Sequence, residues 1–232
     1  MESLENKDWD LVHRSLDAQG YAVIKQVLTE TECRELIDLY QKETLFRSTI
    51  NMKRYRFGQG EYKYFRYPLP PLIAALRKEF YKPLKSIAND WMSRLGIAHP
   101  YPDEHAQFIT WCHSKSQERP TPLILRYEAG GFNTLHQDMY GDVYFPLQVV
   151  LMLTQRGKDY EGGELAFVEQ LPRAQSRVEV VTPGLGDAVI FTTNFRPVKG
   201  SRGYYRARIK HGISPVKSGL RYALGIIFHD AA

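Results

Sequence analysis

The chain has 232 residues, 43% hydrophobic and 25% charged, with a net charge of +5, which suits one globular domain with its own core and permits an anionic partner without requiring one. Its two cysteines, Cys33 and Cys112, lie far apart in unrelated contexts, which argues against a disulfide framework or a Cys-based zinc site and suits a reducing cytoplasm. No apolar run is long enough to read as a signal peptide or a membrane span.

Asp8 to Gln19 and Glu30 to Leu45 read as helices, with Leu11, Leu16, Leu36, Ile37 and Tyr40 at roughly helical spacing. Thr29 and Glu32 form a capping-box pattern at the start of the second. Between them GYAVIKQVL reads as a short strand, and Pro70 or Pro71 can open a third helix that runs through Leu95 and stops at Gly96. Beyond residue 120 the pattern becomes one of strands, roughly 121–128, 143–153, 163–169, 177–183, 187–193, 205–214 and 221–229, with Gly- and Pro-rich turns such as YEGGE and TPGLGD between them. The expectation is a single α+β domain over residues 1–232. Its helical part, to about residue 100, braces a sandwich or jelly roll at about 120–230.

The stretch TLHQDMYGD carries His136 and Asp138 one residue apart. A His-x-Asp is common by chance and needs a partner from a distant strand to mean metal binding. His211 is the candidate. In YRARIKHGI, Arg206, Arg208 and Lys210 share one face, while Ala207, Ile209, His211 and Ile213 share the other, so His211 points inward. A hydrogen-bonded core histidine would look the same. In RYALGIIFHD, Tyr222, Leu224, Ile226 and Phe228 form a large apolar face, and Arg221, Ala223, Gly225, Ile227 and His229 form the other. An arginine beside two of the smallest side chains describes a cavity with a cation in it, awaiting a ligand carboxylate or a structural Asp or Glu.

His136, Asp138, His211 and Arg221, in that order, resemble the Fe(II)- and 2-oxoglutarate-dependent oxygenases. In that family an Arg or Lys about ten residues after the second histidine binds the cosubstrate. RYEAGGFNTLHQD, YEGGELAF and GDAVIF resemble its core strands. The resemblance covers about residues 120–230 and implies a double-stranded β-helix (jelly roll). It implies Fe(II) held by His136, Asp138 and His211, 2-oxoglutarate anchored by Arg221, and O2 as cosubstrate. Tyr127 shares a face with Leu123 and Leu125 and is expected to contact 2-oxoglutarate, the more so because Ala223 stands where many relatives have a Ser or Thr donor. No second arginine follows Arg221 as it does in the alkylation-repair demethylases. Asp187 reads as a turn residue, His229 as a frayed strand end, and His99, His105 and His113 as surface or loop residues.

The segment NMKRYRFGQGEYKYFRYP interleaves Lys53, Arg54, Arg56, Lys63 and Arg66 with aromatic rings, among them Tyr62 and Tyr64. Cations that neutralise phosphate beside rings that stack on bases suit a nucleic-acid lid, although solvated loops with packed rings have the same composition. A second basic stretch, containing Arg202, runs into the strand of His211 and is expected near the site mouth. The chain also resembles, over most of its length, an uncharacterised bacterial group of these oxygenases suggested to act oxidatively on damaged DNA. This implies hydroxylation of a base substituent, with an N-methyl group lost as formaldehyde. A prolyl-type protein hydroxylase and a non-catalytic jelly-roll binding module are the alternatives.

Overall fold

The chain begins with two capped helices separated by one strand. The computed structural model describes residues 4–98, 100–170 and 175–232, so His99 lies outside the described residues. Asp8 accepts from the Leu11 amide to cap α1 (Trp9–Gln19), which stops at Gly20 with φ 82°. After β1 (Tyr21–Ile24), Thr29 and Glu32 form the expected capping box of α2 (Glu30–Leu39). This helix ends earlier than the sequence suggested.

The next segment corrects the expectation of an N-terminal part that is helical but for one short strand. It folds as β2 (Phe46–Asn51), the short α3 (Met52–Tyr55), β3 (Gly58–Gln59) and β4 (Glu61–Phe65). Their aromatic and β-branched residues suit half-buried strands, and the strands extend the sheets of the core. Then come α4 (Pro71–Arg94), opened by its proline as predicted, and α5 (His105–His113), which was not foreseen. The remaining strands are β5 (Leu123–Glu128), β6 (Phe132–His136), β7 (Leu147–Met152), β8 (Tyr160–Gly162), β9 (Leu165–Gln170), β10 (Arg177–Val181), β11 (Ala188–Thr192), β12 (Phe195–Gly200), β13 (Gly203–Ile213) and β14 (Val216–Ile226).

Two antiparallel sheets result. The major sheet runs β1-β11-β7-β14-β5-β4-β2 with β8 on β14, and the minor sheet runs β10-β9-β13-β6-β3 with β12 on β13. This is the jelly-roll sandwich expected, with helices against one face of the major sheet. Tyr222, Leu224 and Ile226 point from β14 toward those helices, in one cluster with Leu76, Phe80, Leu84 and Trp91 of α4. Arg221, Ala223 and Gly225 point the other way, into a cavity between the sheets. No described helix is long and apolar enough to cross a membrane.

A buried ion pair fastens α4 to the end of the chain. Arg77, 2% exposed, donates to Asp230 at 2.8 Å and to the carbonyls of Ile227 and Phe228. Tyr67 and His113 also bond Asp230, and His105 donates to the Phe228 carbonyl. Breaking one side of such a pair costs about 3–5 kcal/mol. Two histidine expectations change accordingly, and one holds. His113 is an exposed surface residue, as read, and reaches Asp230 with its Nε2. His105 is an inward helix residue whose pKa is pushed down to about 3 by burial and by Arg77. His229 is fully buried and accepts from the Phe145 amide, not frayed. Asp187 is structural, as read: it accepts from Lys25 and from the amides of Gln26 and Gly184.

Candidate metal centre and cavity

His136 ends β6 and sits directly opposite His211 of β13 in the antiparallel register. Cross-strand partners share a face, so both imidazoles point between the sheets, their centroids 4.2 Å apart. The register shifts just past this pair. Gly212 stands at the shift, where a Cβ would meet the Asn133 carbonyl at 2.8 Å, so the close approach of the two strands requires glycine. Asp138 follows β6 and turns back under the pair. Its Oδ2 lies 3.2 Å from His211 Nε2, and its Oδ1 lies 3.6 Å from His136 Nε2. One ligand atom from each residue falls within 4.8 Å of the others.

Hydrogen bonds around the three residues fix which atoms face one another. His136 donates from Nδ1 to the Thr134 carbonyl at 2.8 Å, which leaves the Nε2 lone pair available. The Tyr140 hydroxyl donates to Asp138 Oδ1 at 2.7 Å and accepts from the Tyr64 hydroxyl at 3.0 Å. Burial would raise the Asp138 pKa, but His211, His136 and the Tyr140 hydroxyl outweigh it and hold the carboxyl well below the usual range. Burial and then His211 push His136 down. A divalent metal requires its carboxylate ionised and its imidazoles neutral, and the directions at Asp138 and His136 favour that state. Two imidazoles and one carboxylate on one side, with open space on the other, fit a first-row metal that keeps positions for further ligands.

Arg221 and Tyr127 line the same cavity, of about 230 Å³. Arg221 is 1% exposed and donates from Nε to the Gly163 carbonyl at 3.0 Å. Its guanidinium stands 5.6 Å from the Tyr127 ring and 5.9 Å from the Tyr160 ring. Among the described residues no carboxylate lies within ion-pair distance of it. Gly163, with φ 61°, makes the space: a Cβ there would stand 2.9 Å from Arg221 Cδ. Tyr127 is fully buried, and its hydroxyl lacks a well-formed hydrogen bond, with Asn133 alongside. A permanently charged guanidinium and an orphaned hydroxyl are costly to bury without an anionic acceptor. The cavity therefore fits an incoming carboxylate at one end and a metal at the other.

The expected substrate residues scatter. Tyr62 and Tyr64 of β4 both line the cavity. Tyr64 is 7% exposed, packed edge-on against Tyr62 and bonded to Tyr140, so it is a wall of the site and not an open stacking platform. Lys53, Arg54 and Arg56 are exposed on α3 and the turn after it. Next to them Phe57, 47% exposed, lines the cavity mouth, and its carbonyl accepts from the amide and hydroxyl of Thr134 beside His136. Lys63 is buried, pairs with Glu43 and donates to the Tyr40 carbonyl, so it is withdrawn from any phosphate. Arg66 is exposed beyond the end of β4. Arg202 is exposed at the tip of the β12–β13 hairpin. The length of β13 separates it from His211, about 26 Å at the usual rise, which removes it from the cavity mouth.

Tyr140 was missed by the sequence reading because its role depends on a turn that strand alternation does not describe. Tyr140→Phe keeps the ring and removes the donor, and the loss expected is about tenfold in Fe(II) affinity, the low end for a group that orients a metal ligand. Metal titration checks this, and an unchanged affinity would leave Tyr140 as packing.

Comparison with known proteins agrees with this geometry. Residues 60–231 match the model of the Oxygenase-NA family, described as "Oxygenase, catalysing oxidative methylation of damaged DNA". Uncharacterized proteins from two strains of Mycobacterium tuberculosis are 45% identical over 168 residues, 72% of this chain and 72% of theirs. Among solved structures, a Trichoplax adhaerens prolyl hydroxylase in complex with a hypoxia-inducible-factor peptide superposes with TM-score 0.59 at 18% identity, covering 96% of this chain and 89% of that one. A Pseudomonas putida prolyl-4-hydroxylase gives 0.55 at 15%, covering 97% and 100%. A Burkholderia pseudomallei oxidoreductase of the 2OG-Fe(II) oxygenase family gives 0.53 at 13%, covering 98% and 94%. At these identities the structures speak for the shared fold, whereas the family match spans most of the sequence and includes every residue of the cavity pair and triad: the chain belongs to the Oxygenase-NA family of oxygenases.

Proposed function

We propose that the protein is an Fe(II)- and 2-oxoglutarate-dependent dioxygenase that hydroxylates a substituent on a nucleic-acid base. The observation that carries the reading is the opening of the His136, Asp138 and His211 cluster and the unpaired Arg221 into one cavity. His136, Asp138 and His211 would hold the metal, and Arg221 would take the distal carboxylate of 2-oxoglutarate with its planar fork. The Tyr127 hydroxyl supplies a second donor there, replacing the one that Ala223 lacks. Bound Fe(II), 2-oxoglutarate and O2 supply the oxidising power for C–H hydroxylation, with succinate and CO2 as coproducts. Leu125, Val150, Leu165 and Phe191 line the walls and keep the cavity apolar. Arg221 stays charged throughout, so it positions and does not move a proton.

Two features support a nucleic-acid substrate: the family description, and the exposed Lys53, Arg54 and Arg56 beside Phe57 at the mouth. A base entering the cavity from a duplex would have to be flipped out, at a cost of a few kcal/mol. Hydroxylation of an N-methyl group would then release formaldehyde. We place this work in the cytoplasm, where free thiols such as Cys33 and Cys112 persist. A turnover screen with Fe(II) and 2-oxoglutarate against alkylated oligonucleotides and peptide pools tests the reading. Succinate formation coupled to formaldehyde release from an oligonucleotide is expected. Stimulation by peptides alone would move the protein to side-chain hydroxylation, the activity named for its prolyl hydroxylase neighbours. No turnover with either would leave a binding module.

A further inference from the structure

Among the described residues of β9, β10 and β13, the outer face of the minor sheet carries cations and no acids. Alternation along β13 sends Arg206, Arg208 and Lys210 outward, opposite to the inward Ala207, Ile209 and His211, and all three cations are exposed. The register places Gln170 and Val168 of β9 beside Arg208 and Lys210, and Val178 of β10 beside Val168. Val178 and Val180 are 58% and 59% exposed, so no described element covers this face at β10. The acids of these strands turn inward: Glu169 pairs in register with Ile209, and Glu179 with Phe167. Among the described residues Arg206, Arg208 and Lys210 have no carboxylate within ion-pair distance, and neither do the nearby Lys199 and Arg202. Arg206 instead lies 5.0 Å from the ring of Phe195.

This array has a direction and a repeat. Same-face residues of a strand recur every second position, about 6.6–6.8 Å, comparable to successive phosphates along one extended nucleic-acid strand. The stripe runs from the hairpin tip at Arg202 to Lys210, the residue before His211. In the sheet order β6 and β3 follow β13, so the Lys210 end lies two strands from β3 and the segment of Lys53, Arg54, Arg56 and Phe57. Surface cations are ordinarily interspersed with acids. Three in line, unpaired and leading toward a cavity mouth, are a footprint for a polyanion.

We infer that the outer face of the minor sheet is a phosphate-tracking surface for a single nucleic-acid strand, which lies along Arg206, Arg208 and Lys210 and crosses toward the lid segment at the cavity. The inference rests on the nucleic-acid reading of the cavity and extends it to the flanking nucleotides. Its test is fluorescence anisotropy with the full chain over a salt series, using short and long single-stranded oligonucleotides, a duplex, and vesicles rich in anionic phospholipid. The triple variant Arg206→Gln, Arg208→Gln, Lys210→Gln should bind the long strand about tenfold more weakly, with a log–log salt slope shallower by about 2, since each cation releases about 0.7 counterions from single strands. The short oligonucleotide, spanning only the mouth, should be much less affected. A lid variant, Lys53→Gln, Arg54→Gln, Arg56→Gln, should weaken both. If the lid variant loses affinity and the β13 variant retains it with an unchanged slope, the surface is wrong while the nucleic-acid reading of the cavity stands. If wild type binds no oligonucleotide, both fail, and β13-dependent binding to vesicles alone would assign the face to a membrane. Thermal melting guards against misfolding. Should the triple variant not fold, Arg208→Gln alone should shorten the slope by about 0.7, and an unaltered slope overturns the inference.

Discussion

Asp138→Ala is expected to abolish 2-oxoglutarate turnover and to weaken Fe(II) binding by more than about 100-fold, because removing a group that merely orients a ligand already costs about 10–100-fold. Asp138 lies between the two imidazoles, 3.2 Å from His211 and 3.6 Å from His136, and it is their only ionised neighbour at that range among the described residues. Without it, two imidazole rings at a 4.2 Å centroid separation remain. Such a pair retains some affinity for soft divalent ions but presents no charge to a hard one. The fold should persist, since the pair is set by the β6–β13 register and the Gly212 shift and not by the carboxylate. Titration with Fe(II), or with Mn(II) or Co(II) as inert substitutes, together with a thermal melt of the metal-free protein, checks both halves. Retained metal affinity in a folded variant would sink the metal-centre assignment.

How much of this was legible in the sequence follows from the reach of strand alternation. A period of two residues tells which side chains share a face wherever a strand is regular. It therefore oriented His211 on β13 and separated Arg221, Ala223 and Gly225 from Tyr222, Leu224 and Ile226 on β14, as the structure has them. The spacing of His136 and Asp138 was visible, but their meeting with His211 depends on a register 75 residues apart in sequence, and the resemblance to a family supplied that step. Alternation fails at turns, which is where Tyr140 escaped. It also fails where a long charged side chain has a partner elsewhere. Lys63 looked like one more cation of a basic segment, yet it lies on the face of β4 opposite the cavity-lining Tyr62 and Tyr64, buried against Tyr40, and meets Glu43 from the turn before β2. His105 and His229 looked peripheral for a similar reason: His105 reaches the Phe228 carbonyl beside the Arg77 and Asp230 pair, and His229 takes the Phe145 amide, both contacts between segments far apart in sequence. Arg202 sits close to His211 in sequence and far from it in space, because an extended strand converts sequence separation almost fully into distance.

Arg221→Ala is expected to raise the concentration of 2-oxoglutarate needed for half-saturation by more than tenfold while leaving Fe(II) binding intact. The carboxylate would keep its burial and lose its charge partner, a loss of about 2–5 kcal/mol for a desolvated pair, and each 1.4 kcal/mol is about a factor of ten. The metal cluster should not notice, since its residues come from β6, the turn after it and β13, whereas Arg221 belongs to β14 in the other sheet. Stability offers a second readout that does not depend on turnover. Most buried arginines are held by a carboxylate, as Arg77 is by Asp230, and truncating one strands its partner. Arg221 has a backbone carbonyl, the Met152 sulfur and tyrosine rings instead, so its truncation strands no charge and should destabilise the metal-free protein far less than Arg77→Ala. In wild type loaded with Mn(II), 2-oxoglutarate at about 100 times its dissociation constant should add about 2.7 kcal/mol of stability. In Arg221→Ala most of that increment should vanish. Arg221→Lys keeps the charge but not the bidentate fork, and an intermediate shift is expected. If the alanine variant keeps both the wild-type half-saturation and the full thermal shift, some other cation anchors the cosubstrate, and the unpaired Arg221 would need a different ligand to explain its burial.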